Sequence, residues 1–143
     1  MPAGKSAKKG KETPAVLTGC YVFPNGDRYD GEYEEKGPGH IVRSGRGMHT
    51  SATGNVYSGE WQADTLNGKG EIQHPSGAVY KGDIVGGEYH GEGTYRWPDG
   101  SKYTGPFTHN RLAGRGIFTD TSGRQWVGEF TGTTADRLRL MLK

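Results

Sequence analysis

Five histidines, at positions 40, 49, 74, 90 and 109, together with Cys20, a set of spaced carboxylates and a recurring Gly-x-Gly, are the residues that could carry chemistry in this chain. A metal centre gathers imidazoles, thiolates and carboxylates at short spacings, and no His-x-His or Cys-x-x-Cys spacing points to one. A thiolate nucleophile wants a neighbouring base, whereas Cys20 stands beside Tyr21 with no histidine close in sequence. His49 and His74 occupy columns that other copies of a repeat fill with Ile72 and Tyr95, or with Phe23 and Trp97, so the sequence predicts ordinary surface or rim histidines. The carboxylates at 32, 60, 83 and 129 recur in step, as structural residues do, while an active site needs a unique constellation. Gly-x-Gly cradles phosphate where it opens a helix, and here it precedes strands. The sequence therefore predicts no catalytic residues, no cofactor and no metal.

The elements that position these residues come from an internal repeat. The blocks Gly26–Gly31, Gly54–Gly59, Gly77–Gly82, Gly100–Gly105 and Gly123–Gly128 each place an aromatic fourth and a glycine sixth: Tyr29, Tyr57, Tyr80, Tyr103 and Trp126. Two residues past each block stands Tyr33, Trp61, Ile84, Phe107 or Phe130. A second half follows the first four blocks, with Gly45-x-Gly47, Gly68-x-Gly70, Gly91-x-Gly93 and Gly114-x-Gly116, then His49, Ile72, Tyr95 and Phe118. An unpaired second half, Gly19-Cys20-Tyr21, opens the array. This alternation has the period of a strand. Each copy is predicted to be a β-hairpin with a six-residue internal loop, Gln62 to Asn67 in the second. Pro24-Asn25-Gly26, Pro75-Ser76-Gly77 and Pro98-Asp99-Gly100 form the turns between copies. The first copy carries five extra residues between Glu34 and Ser44.

Simple antiparallel pairing about each turn places Trp61 opposite Gly68, Gly59 opposite Gly70 and Tyr57 opposite Ile72. Across the next turn it places Ile72 opposite Tyr80 and Gly70 opposite Gly82. Two bulky rows then flank a row of glycines, on which aromatic rings can pack in place of a second layer. The opposite face is polar, with Asp30, Glu32, Ser58, Glu60, Lys81 and Asp83. The predicted fold class is all-β: a single-layer elongated sheet of tandem antiparallel β-hairpins in about five copies. Ten strands about 4.8 Å apart would make a slab on the order of 50 Å long.

Composition agrees with a thin core. Only 31% of the residues are apolar and 26 are glycine, too little apolar material for a thick two-layer interior. Lys5, Lys8, Lys9 and Lys11 against Glu12 put +3 into the first dozen residues, which leaves about −1 for the rest of a chain of net charge +2. No basic face remains in the body to track phosphates, so nucleic acid is not an expected partner. Residues 1–15 are expected to be a disordered basic tail, 16–132 the hairpin array and 133–143 a C-terminal capping segment. In that segment the alternation of Arg137 to Leu140 favours a strand over a short helix. One cysteine and no long apolar run are expected of a soluble, cytoplasmic protein.

Tyr-x-Gly-x-Trp followed by Gly-x-Gly-x-Tyr on a 23-residue period resembles the MORN repeat, over about residues 19 to 132. The resemblance implies a scaffold in a cytoskeletal assembly, notably a ciliary or flagellar axoneme, with a peripheral phospholipid-binding module as the other role associated with such repeats. A single-layer sheet leaves ring surface free, and the predicted partner-binding trough comprises Tyr57, Trp61, Tyr80, Tyr95, Trp97, Tyr103, Phe107, Phe118 and Trp126. Trp97 stands where sister copies carry Ser51, His74 or Asp120. The expected partners are other proteins within a multi-protein complex, each offering a helix or an extended segment. Membrane lipid is disfavoured because the body lacks a basic face.

Overall fold

A computed structural model describes residues 16–141. The expected basic tail, residues 1–15, lies outside the described residues, as do the last two positions of the capping segment. The rest is one open antiparallel sheet in strict chain order. Its strands are β1 (Leu17–Val22), β2 (Arg28–Gly37), β3 (His40–Thr50), β4 (Val56–Gln62), β5 (Thr65–Gln73), β6 (Val79–Val85), β7 (Glu88–Arg96), β8 (Lys102–Thr108), β9 (Arg111–Thr119), β10 (Gln125–Gly132) and β11 (Thr134–Leu140). Eleven strands replace the expected ten, the added one being the C-terminal segment, which is extended as its alternation suggested.

The turns between copies share one geometry. The N–H of Gly26 donates to the Phe23 carbonyl at 2.9 Å and that of Phe23 to the Asp27 carbonyl at 2.8 Å, with Gly26 at φ 96°. This is a type I turn closed by a residue in the left-handed region, and it recurs at 51–55, 74–78, 97–101 and 120–124.

Inside the copies the expected six-residue loop is absent. Ala63 and Asp64 (φ 49° and 70°), Gly86 and Gly87 (59° and 82°), and His109 and Asn110 (47° and 69°) form two-residue turns with positive φ at both positions. Such turns match the right-handed twist of the strands they join. The tighter turn shifts the ladder. Gly59 still faces Gly70, but Trp61 faces Leu66 rather than Gly68, Ile84 faces Tyr89, and Phe107 faces Leu112. One residue, Glu60, now opposes three, Asn67 to Lys69, in a bulge. The shift is by two residues, so every side chain keeps its face.

Three of the four recurring carboxylates, Glu32, Glu60 and Asp83, belong to this bulge, whereas Glu129 stands in a regular ladder position. Glu32 accepts the Arg46 N–H at 2.7 Å and Asp83 accepts the Glu92 N–H at 3.0 Å. The backbone carbonyls of the same two residues accept the hydroxyls of Tyr29 (2.5 Å) and Tyr80 (2.6 Å), and the Pro106 carbonyl accepts that of Tyr103 (3.0 Å).

Those three tyrosines lie on the glycine row and have no exposed surface. The next copy roofs each one: Trp61 meets Tyr29 edge-on at 5.6 Å, Phe107 meets Tyr80 at 5.0 Å and Phe130 meets Tyr103 at 4.7 Å. Tyr89 also stacks on Tyr80 at 4.0 Å. The core is thus a string of rings along one face, each closed by its successor. The five-residue insertion simply lengthens the first hairpin, whose pairing continues to Gly37 and His40.

Burial raises the phenols of Tyr29 and Tyr103 to about 12 and pushes Tyr80 and Tyr89 up as well. Below about pH 10 folded and unfolded chains both keep these protons. From there to about pH 12 the unfolded chain ionises first, so stability is lost as pH rises. In an alkaline titration, part of the phenolate absorbance should appear only together with loss of the β-sheet circular dichroism. Complete ionisation with the sheet intact would contradict this packing.

Candidate functional site

The aromatic face opens into a groove of about 920 Å³ at its C-terminal end. Its floor is made of Tyr89, Phe107, Leu112 and Phe130, set there by the two-residue turns that bring Tyr89 opposite Ile84 and Leu112 opposite Phe107. One wall is Tyr95, Trp97 and Phe118. Tyr95 comes from β7 and Phe118 from β9, while Trp97 begins the turn from β7 to β8 and is pinned by its N–H to the Ser101 carbonyl at 2.9 Å. The rings pack edge to face, Tyr95 to Trp97 at 5.1 Å and Trp97 to Phe118 at 5.9 Å. The other boundary is the last hairpin, through Gly132, Thr133, Ala135 and Leu138. His74, Asn110 and Arg111 are its polar contributors beside the Thr133 hydroxyl.

His74 is fixed by its neighbours: Nδ1 lies 3.3 Å from the Asn55 amide nitrogen and Nε2 lies 2.6 Å from the Tyr89 hydroxyl. Tyr89 therefore joins the groove floor, the Tyr80 stack and His74 in one rigid unit. The groove presents a preformed apolar surface with a single formal cation, Arg111.

The nine residues expected to bind a partner divide. Tyr95, Trp97, Phe107 and Phe118 line the groove. Tyr80 and Tyr103 are wholly buried because they lie on the glycine row under the next copy's rings, and Trp61 is nearly so between Tyr29, His49 and the Arg43 guanidinium, so the three present no face to a partner. Tyr57 and Trp126 are half-buried outside the groove, Trp126 donating its indole N–H to Asp120 at 3.1 Å. The glycine row is covered by the rings of Tyr29, Tyr80 and Tyr103 and forms no part of the groove. Tyr89, Leu112, His74, Asn110, Arg111 and the last hairpin are the lining residues the sequence reading missed. The Gly86-Gly87 pair was the available signal, since it marks a two-residue turn and hence the register of Tyr89.

His49 corrects another expectation: it is buried, not at a rim. Arg43 Nη1 donates to its Nδ1 at 3.1 Å, which leaves Nε2–H to donate to Asp27 at 2.9 Å. That bond, with help from the Ala52 N–H, holds the Asp27 carboxyl below the usual range. Arg43 also pairs with Asp64 at 2.7 Å and lies over the Trp61 ring at 4.4 Å. The network ties the lengthened first hairpin to the second copy and carries no nucleophile. Among the described residues no three His, Cys, Asp or Glu side chains converge as a metal set.

The family model described as MORN repeat matches residues 18–28, 57–79 and 80–102. The last two stretches are successive copies, each beginning at the tyrosine of one hairpin and ending just before that of the next. No curated protein matches the chain.

Proposed function

We propose that this chain, with MORN repeats at three stretches and a preformed aromatic groove, is a non-enzymatic scaffold that holds a helix or extended segment of another protein. Repeats of this kind generally bind proteins or membranes. The observation that carries the reading is the wall of Tyr95, Trp97 and Phe118, whose ring surface is left free after the core is complete. Aromatic anchors in a preformed groove concentrate binding energy. An apolar helix about 10–12 Å across is the natural shape to lie along it.

A cytoskeletal assembly, the ciliary or flagellar axoneme above all, is the setting we favour from the repeat resemblance. From Gly77 onward the chain is similar to the small MORN repeat-containing protein 2, and His90-Gly91-x-Gly93-Thr94-Tyr95 and Trp126-x-Gly128-x-Phe130 carry that likeness. The lipid alternative finds less support. On the polar face Lys69 and Arg115 pair with Asp83 and Glu129, and Arg28 pairs with Asp30. Anionic headgroups call for a cluster of free cations.

Trp97→Ala tests the groove. Its ring meets Tyr95 and Phe118 at the margin of the core, and Ser51 and Asp120 show that the fold accepts polar residues in that column. The melting temperature should stay near wild type while partner affinity, measured on complexes recovered from the source cell, falls at least about tenfold. Unchanged affinity would remove the groove from consideration. Sedimentation with anionic vesicles at wild-type strength would instead favour the membrane reading.

A further inference from the structure

The geometry points to the outer edge of β1 as a self-association surface: two copies of this chain pair β1 to β1, antiparallel and centred on Gly19, to make one continuous sheet. Among the described residues no strand pairs that edge. Natural sheets blunt an open edge with charge, proline or a bulge. The opposite edge does so, for β11 carries Asp136, Arg137 and Arg139, its register against β10 shifts, and Arg137 sits at φ 56°. β1 has none of these features. From Val16 to Phe23 it is uncharged, it pairs with β2 without a shift, and Val16, Leu17 and Val22 are 60%, 37% and 65% exposed.

Sequence decides what can pair there. β1 is a second-half strand, and its sisters β3, β5, β7 and β9 place Gly45, Gly68, Gly91 and Gly114, all at positive φ, where the preceding strand bulges against them. β1 has Leu17 in that column. A leucine resists positive φ, so the edge does not suit a further bulged copy and calls for a regular strand. The strand itself is self-complementary about Gly19. Val16 matches Val22, Leu17 matches Tyr21 and Thr18 matches Cys20 in size and character, as a two-fold axis requires.

Backbone polarity fits the same axis. Phe23 donates its N–H to the carbonyl of Asp27, the residue that leads into β2. Alternation along an antiparallel ladder then turns the N–H and C=O groups of Thr18, Cys20 and Val22 outward. With Gly19 facing its own mate, Thr18 and Cys20 exchange hydrogen bonds with Cys20 and Thr18 of the second copy, and Val16 and Val22 do the same. Leu17 then packs against Tyr21 on the aromatic face, extending both bulky rows across the axis.

Sedimentation equilibrium of the full chain should show a dimer. Val16→Glu with Val22→Glu sets like charges face to face and should weaken it by at least about tenfold, whereas Val16→Glu with Val22→Lys should restore it. A covalent readout runs alongside. A Cβ at Gly19 meets only Tyr33, at 3.7 Å, so Gly19→Cys in a Cys20→Ser background is accommodated. It brings two thiols across a non-hydrogen-bonded pair, where Cα atoms lie about 4.5 Å apart. Oxidation should give a disulfide dimer, and Thr18→Cys in the same background should not. A monomeric wild-type chain, a dimer indifferent to the paired glutamates, or equal crosslinking of the two cysteine variants would overturn the proposal.

Discussion

Gly93→Val should unfold at a far lower urea concentration than the wild-type chain, with about 3 kcal/mol or more of stability lost. A Cβ at Gly93 would stand 2.6 Å from Cε1 and Cζ of Tyr80. That ring cannot step aside: it is fully buried, stacked on Tyr89 and tied through its hydroxyl to the Asp83 carbonyl. Overpacking alone costs about 1–3 kcal/mol, and stranding the Asp83 carbonyl costs about 1–3 more. Gly82→Val should be at least as damaging, since its Cβ would lie 2.5 Å from the Glu92 carbonyl oxygen, which is backbone. Gly37→Ala is the control, because nothing lies within 4 Å of its Cβ. Denaturation midpoints equal across the three variants would mean that rings do not rest on the glycine row.

Removal of residues 134–143 should produce assemblies larger than any the full chain forms, together with loss of groove binding. β11 pairs with β10 from Trp126–Leu140 to Thr131–Thr134, and Leu138 lies over Gly128. Without it, the edge offered to solvent is β10, carrying Trp126, Val127 and Phe130 and a single charge, Glu129. A long apolar edge is a template for other chains. Ala135 and Leu138 also bound the groove, so the same deletion opens one of its sides. Light scattering and partner affinity report the two effects separately. A truncated chain that scatters like the full one would show that β11 protects nothing.

What the sequence could and could not convey follows from which contacts are periodic. Tyr57 opposite Ile72, Gly59 opposite Gly70, and Ile72 opposite Tyr80 all follow from columns that repeat, and all are present. The two-residue turns were harder to read. Ala63-Asp64 and His109-Asn110 are non-glycine pairs held at positive φ by the preceding hairpin, whose Arg43 and Tyr89 amides donate to the side chains of Asp64 and Asn110. Such a conformation is decided by a neighbour one copy away, not by local preference. His49 is a similar case: its column is apolar elsewhere, and it is satisfied by Arg43, which stands in the column that Leu66, Tyr89 and Leu112 fill in the later hairpins. In the groove, Trp97 stood out as a ring in a column that holds Ser51, His74 and Asp120 in sister copies and a second ring only at Phe23. Leu138 and Ala135 did not, because they belong to a strand outside the repeat.

Strict chain order in the sheet has a mechanical meaning. Every interstrand hydrogen bond runs along the long axis of the array, and every strand is bonded only to the strands before and after it in sequence. Tension applied between the two ends therefore loads one ladder at a time, peeling strands from an edge instead of shearing many together. A 23-residue copy released in this way yields on the order of 70 Å of new chain length. Because Tyr29, Tyr80 and Tyr103 are each roofed by the following copy, a peeled strand there leaves its neighbour weakened and the next step easier. A tether built like this limits the force it can transmit, giving way by stages under load and re-forming when slack returns.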